Sequence, residues 1–331
     1  MDPLRKNLLF SILSASLLLS GLTGCKAKSD EAHASTAAAP FMSKATAAQP
    51  QIPDDALPAE KTGGFDGARA FNHVAKQVGF GPHPSGSEAI QQVQDYLQSE
   101  LTSYGCTFDI DAFSSDTPAG RLAMKNILVK IPGEKPGILL LGTHYDTKRL
   151  DNFVGADDGG SSTAVMLELA RLLCSQHNKY AVWIAFFDGE EAVNHDWHDP
   201  DNRYGSREMA ARLSTSGDLP KVRAFLLADI VGGHNIRYER ETNSTPALTD
   251  LVWSTAAKLG YSAIFVNDAG AVEDDHLSFL KRNVPSVDII GLNSAASYWH
   301  TPQDTLDKIS AKSLAITGHV FLESIKQLQA K

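Results

Sequence analysis

The chain has 331 residues, 43% hydrophobic and 21% charged, the balance of a soluble globular protein with room for one large α/β domain. Its formal net charge of −9, with no basic tract, argues against a nucleic-acid backbone as partner. No internal repeat is present.

Arg5 and Lys6 form a basic head, and residues 8–22 are apolar but short for a membrane span. Leu22-Thr23-Gly24-Cys25 follows. A small residue before a cysteine, where cleavage should fall, resembles a bacterial lipobox. It predicts a signal peptide over 1–24 and a lipid anchor at Cys25; a plain secretory leader with an incidental cysteine is the alternative. Lys26, in place of an aspartate, points to the outer membrane, so the expectation is a cell-envelope lipoprotein on its periplasmic face. Residues 25–64 are rich in Ala, Ser, Thr, Pro and Lys and read as a flexible tether. A single domain is expected over 65–331.

Within it, Phe65, Ala68, Phe71, Val74 and Val78 have helical spacing, and a second amphipathic helix is expected over 87–104. Strands follow at 107–113 and 126–131. Pro132-Gly133 turns the chain into an apolar strand at 138–141, and a helix follows at 163–174, capped by Ser161 or Ser162. YAVWIAFF (180–187) and AFLLADI (224–230) read as buried strands. A helix at 246–259, a short strand at 263–266, a short helix at 275–282, a strand at 284–290 and a closing helix at 310–330 complete the chain. Strands alternating with helices predict a three-layer α/β/α sandwich around a central mixed, mostly parallel sheet. Cys106 and Cys174 can form a disulfide or remain two buried thiols; separation along the chain does not choose between them.

Polar residues recur at the C-terminal ends of the core strands, the edge where open α/β sheets bind ligands. The strand at 138–141 delivers His144 and Asp146, then Asp157 and Asp158 after a short loop. The strand at 180–187 delivers Asp188, Glu190 and Glu191. The third delivers Asp229, and the last leads to Trp299-His300. Each acid alone suits a solvated helix N-terminus. Four strands presenting such groups at one edge suit a metal site. Zinc takes His nitrogen and carboxylate oxygen and keeps one position open for catalysis. Asp158, Glu191 and His300 make such a set; His144 and Asp229 are candidates for a second metal bridged by Asp158. Glu190 remains free for proton transfer. His73, His177 and His319 lie in helical patterns and suit packing or surface. His83, His195, His198 and His234 lie in loops without an assignment. His276 is placed to orient a carboxylate.

HYD (144–146), ADDG (156–159), FFDGEE (186–191), AD (228–229) and WHT (299–301) resemble, in this order, the co-catalytic zinc aminopeptidase superfamily. Within it the chain looks most like the animal-type glutaminyl cyclases, over nearly the whole domain, on THYDTK (143–148), FVGADD (153–158), MLELAR (166–171), FFDGEEA (186–192), Trp197 with YGSR (204–207), DDH (274–276), FLKRNVP (279–285) and WHT. The resemblance implies a zinc-dependent glutaminyl-peptide cyclotransferase acting on N-terminal glutamine of peptides and proteins; a monomer is expected. It implies one zinc on Asp158, Glu191 and His300, with Glu190 as general acid/base. Asp229 and Asp274 would form a hydrogen-bonded acidic pair beside it, and Trp197, Trp299 and Lys148 would bind substrate. This sequence departs from the family at Asp288, where the animal enzymes carry histidine, at Thr143, where they carry a disulfide cysteine, and in the loop at 292–298. The alternative is a dinuclear zinc aminopeptidase using His144 and Asp229 for the second ion. A third reading is a non-catalytic binding lipoprotein.

Overall fold

The structure is a computed structural model and describes residues 53–331. The expected signal peptide, Cys25 and the tether as far as residue 52 lie outside the described residues. The tether does not run to residue 64: its last stretch is folded. Ala59–Lys61 is a 3-10 turn, Ala56 and Leu57 pack on the core, and the Ser310 hydroxyl donates to Asp55 at 2.5 Å. Two apolar side chains with something to cover are enough to bind a segment whose composition is otherwise that of a linker.

The elements in chain order are α1 (Gly67–Val78), α2 (Glu88–Ser103), β1 (Phe108–Thr117), β2 (Gly120–Ile131), β3 (Gly133–His144), α3 (Gly160–Leu173), β4 (Asn178–Phe187) and α4 (Tyr204–Ser216). Then come β5 (Val222–Asp229), β6 (Tyr238–Glu241), α5 (Pro246–Lys258), β7 (Phe265–Gly270), α6 (His276–Leu280), β8 (Ser286–Ile290), α7 (Leu292–Ala295) and α8 (Ala311–Ala330). Six strands form one sheet in the order β1-β2-β4-β3-β5-β8. The β4-β3-β5-β8 portion is parallel, while β1 and β2 are antiparallel to each other and β2 to β4. This is the expected mixed, mostly parallel sheet.

Alternation along the strands fills both faces. Leu139 and Leu141 pack with α1, α2, α3, α5 and α8; Ile138 and Leu140 face the opposite way, toward α4 and α6. Strands buried on both faces read as unbroken apolar runs.

Four differences from expectation have local causes. β1 and β2 form a longer hairpin than expected, because Ser114, Ser115 and Asp116 pair with 121–123 although they look like loop. β3 begins at Gly133 rather than 138. α3 starts three residues early. Its N-cap is Gly159 at φ +84°, where a Cβ would lie 2.9 Å from His144 Cε1, so the expected capping serines fall inside the first turn. His177 lies exposed beyond α3, not in a helix.

Cys106 and Cys174 are disulfide-bonded, joining the segment after α2 to the C-terminal end of α3.

His73 gives a pH prediction. It is buried in α1 between the hydroxyls of Tyr96 (2.5 Å) and Tyr104 (3.1 Å). Burial first, then the charges of Arg69 and Arg171, lower its pKa from 6.5 to about 3. A depressed folded pKa means that stability is complete above pH 6.5 and drains away as the pH falls toward 3, because the unfolded chain takes the proton first. The loss attributable to this residue by pH ~4 is about 3 kcal/mol. Denaturant unfolding from pH ~7 to ~4 should give a shallower decline in His73→Gln than in the parent; parallel declines would exclude the assignment.

Candidate metal centre and cleft

The candidate residues meet at the C-terminal edge of the parallel strands. His144 ends β3, Asp188 follows β4, and Asp229 ends β5. β8 leads through α7 to His300, whose φ is +51°. Ile230, a β-branched residue at φ +49°, is a backbone outlier directly after Asp229, of the kind that clusters at functional sites.

Asp158, Glu191 and His300 come together. His300 Nε2 is 3.2 Å from Asp158 Oδ2 and 3.2 Å from Glu191 Oε1. His144 Nε2 lies 3.3 Å from Asp158 Oδ1 and 3.1 Å from Asp229 Oδ1. Both sets gather their donor atoms closely enough to hold a cation, with Asp158 common to the two. Asp158 Oδ2 and Glu191 Oε2 are buried oxygens without a hydrogen-bond donor in bonding geometry among the described residues. Beyond the nearby His300 imidazole and Lys148 ammonium, such oxygens have capacity left to ligate a cation. Nitrogen and carboxylate donors in this number suit zinc.

The charges agree. Burial opposes protonation of His300, but Glu191 and Asp158 outweigh it and raise the imidazole to about 10. His144 is likewise carried well above its ordinary value, against burial, by Asp229, Asp146 and Asp158. Asp158 is held low, against burial, by the two imidazoles. Glu191 is pushed up by burial and by Asp158, with His300 and Lys148 opposing. This is a concentrated negative field, which either protons or a metal ion can satisfy.

The acids of the 188–191 run have separate duties. Asp188 is fully buried and accepts from Ser85 Oγ (2.5 Å), the Lys125 N–H (2.9 Å), Gln94 (3.2 Å) and Tyr145 (3.3 Å), so it fastens β4 to the layer beneath. Gly189 is at φ +71°, where a Cβ would meet Met124 Sδ at 2.8 Å. The Glu190 N–H donates to Asp146 Oδ1 (3.0 Å) and its carbonyl accepts from the Arg203 N–H (2.7 Å). The backbone is thus fixed on both sides while the carboxyl lines the cleft. Burial raises the Glu190 carboxyl well above its ordinary value; Glu191, Asp274 and Asp275 add to this and His144 opposes it.

The cleft has a volume of about 850 Å³, and Lys148, Glu190, Trp197, Asp229, Asp274 and Trp299 are among its lining residues. That is ample for a glutaminyl residue and its neighbour. Trp299 is 40% exposed and stacks on His300, ring centroids 4.0 Å apart, so it is a wall of the cleft and not core packing. Trp197 is half-buried, and its indole N–H is buried without an acceptor among the described residues. Lys148 is buried with its ammonium 3.6 Å from Glu191 Oε2, which turns it toward the ligand set rather than the open cleft.

Asp229 and Asp274 are both present, and the charge of Asp274 helps raise Asp229 to about 7, after burial and against His144. Asp229 is engaged by His144 at 3.1 Å, while Asp274 stands in a buried cluster with His276 and Asp288. Burial and the charges of Asp274, Asp229 and Glu241 push Asp288 well above the carboxylate range. His276 lies between two carboxylates, its Nε2 3.1 Å from Glu241 and its Nδ1 3.7 Å from Asp288, neither in hydrogen-bonding geometry.

Sequence reasoning missed Asp304, Tyr298 and Glu241. Asp304 is buried and accepts from the N–H groups of Asp157 (2.8 Å) and Asp158 (3.0 Å), holding the ligand loop in place. Tyr298 donates to Asp157 at 2.7 Å, and the Gly232 N–H takes the other oxygen at 2.7 Å, so Asp157 is a fastener and not a ligand. Nothing in sequence separates Asp304 from solvent-facing Asp307 three positions on.

Residues 126–325 match Peptidase family M28. A glutaminyl-peptide cyclotransferase of Drosophila melanogaster is 26% identical over 72% of this chain and 76% of its own length. Among solved structures, a glutaminyl cyclase from an Acidobacteriales bacterium is 39% identical and superposes with a TM-score of 0.76, covering 85% of this chain and 99% of that one. A Zn-dependent exopeptidase from Parabacteroides distasonis is 31% identical, with a TM-score of 0.71, over 79% of this chain and 98% of that one.

Proposed function

The chain belongs to peptidase family M28, and we propose that within it the protein works as a glutaminyl-peptide cyclotransferase, converting N-terminal glutamine of peptides and proteins to pyroglutamate with release of ammonia. The observation that carries this reading is the cleft itself. A free, buried Glu190 carboxyl stands beside a closed ligand triad, under two tryptophans, in a chain with glutaminyl cyclases among its relatives.

Asp158, Glu191 and His300 would hold one zinc. When bound there, zinc polarises the γ-carbonyl of the substrate glutamine as a Lewis acid. The α-amine and the side-chain carbonyl carbon belong to one residue, so ring closure carries little entropic cost once the side chain is folded. The amine nitrogen bonds to that carbon and the bond from carbon to the amide nitrogen breaks. Glu190 takes a proton from the amine and returns it to the departing nitrogen, which leaves as ammonia. The charge of Asp274 keeps the Glu190 surroundings negative and so favours the proton-holding form. Trp299 and Trp197 bracket the substrate.

A second reading has one specific support. His144, Asp158 and Asp229 form a further cation-competent set, and a Zn-dependent exopeptidase is among the similar structures. With two metals, Glu190 would activate water and the product would be a shortened peptide. Mass spectrometry of a Gln-initiated peptide, with and without chelator, decides. Chelator-sensitive loss of one ammonia at constant chain length is expected. Release of the whole first residue would establish the aminopeptidase instead, and an unchanged peptide would favour a binding lipoprotein.

The reading includes an envelope lipoprotein, monomeric, anchored through Cys25 on the periplasmic face of the outer membrane. Its supports are the basic head, the short apolar run ending at Cys25, and the Cys106–Cys174 disulfide, since disulfides persist in oxidising compartments.

A further inference from the structure

The cleft mouth is charged unevenly. Asp196 and Glu273 both line it and both are exposed. The one lysine in the lining, Lys148, is buried against Glu191, and no arginine is among the lining residues. Asp196 has exposed His195 beside it at 3.2 Å; Glu273 has no ion pair among the described residues. Deeper in, Asp274 is almost fully buried with Oδ2 unpartnered, so the negative field continues inward from Glu273. Trp299 adds a surface: one face stacks on His300 and the other is open.

Position identifies what passes there. A glutamine whose side chain reaches the ligand triad leaves its next residue only about 3.3–3.6 Å of chain further out. Trp299 adjoins ligand His300 in sequence and in space. An exposed indole face in a cleft also lined by exposed carboxylates attracts a cation through the ring quadrupole, and planar guanidinium stacks best. We propose that Trp299, Glu273 and Asp196 form a subsite for a cationic side chain, arginine above lysine, on the residue following the N-terminal glutamine. The inference rests on the cyclase reading and names which glutaminyl peptides that site prefers.

The test uses the zinc-loaded protein and peptides identical except at the second position: Gln-Arg, Gln-Lys, Gln-Ala and Gln-Glu. Ammonia release should fall in that order. The span in kcat/KM from Arg to Glu should be roughly tenfold, carried by KM. At ~1 M salt, where the screening length is about 3 Å, the Lys–Ala gap should close while part of the Arg advantage survives by stacking. Glu273→Gln combined with Asp196→Asn should shrink the Arg-to-Glu ratio, and Trp299→Leu should shrink the Arg-to-Lys ratio. Equal efficiency on all four peptides, or a preference for Gln-Glu, overturns the subsite and leaves the cyclase reading standing. Ammonia from none of them overturns both.

Discussion

Replacing Glu190 by Gln should lower kcat for cyclisation by roughly 10²- to 10⁴-fold, the usual share of a positioned general acid/base. The substitution keeps volume and removes only the ability to exchange a proton. It should leave the fold in place, because the backbone of residue 190 is held by Asp146 and Arg203 through its N–H and carbonyl and not through the carboxyl. Zinc content should also be unchanged, since Glu190 is outside the ligand triad. Ammonia release and metal analysis on the same preparation check both statements. Retention of turnover within about tenfold would remove Glu190 from the proton path. Loss of zinc would instead make it part of the metal centre.

His300→Ala should abolish both zinc binding and turnover. Three protein ligands are a minimal catalytic set, and the remaining two, Asp158 and Glu191, would be left with only His144 and Lys148 beside them. The thermal consequence separates metal loss from misfolding. Ligand present at ~1,000 times its dissociation constant adds about 4.1 kcal/mol to the folded state. The parent should therefore unfold at lower temperature after chelation, and His300→Ala should be indifferent to chelator. If the variant still responds, zinc is held elsewhere. His144→Ala then decides the stoichiometry: one zinc retained per chain supports the mononuclear reading, and a fall from two to one supports the dinuclear rival.

Much of this was legible because the central strands are buried on both faces. Residues 138–141, 180–187 and 224–230 are nearly unbroken apolar runs, and the polar residue ending each run was necessarily at the sheet edge. What escaped had no such contrast. α4 carries Arg, Glu, Ser and Thr through most of its length, and only the resemblance of YGSR pointed to a helix. β6, YERE, looks like loop, and of its parallel partner β7, FVNDAG, only the start was expected, as a short strand at 263–266; Tyr238 and Phe265 meet across the pair, ring centroids 4.7 Å apart. The fasteners Asp304 and Tyr298 act through distances that no spacing rule encodes. Asp288 was visible as a departure from the family, but its partnership with Asp274 and His276 depends on three elements meeting.

The Asp304 clamp also fixes when the centre can come into being. It joins the backbone of Asp157 to a carboxylate 147 residues further along, and His300 meets Glu191 across 109 residues. A ribosome that has made the first three parallel strands has exposed His144, Asp158 and Glu191, yet nothing shapes them into a coordination sphere. The triad of Asp158, Glu191 and His300 therefore exists only once nearly the whole chain has folded, and a metal held there would be bound by the folded body and not by its pieces.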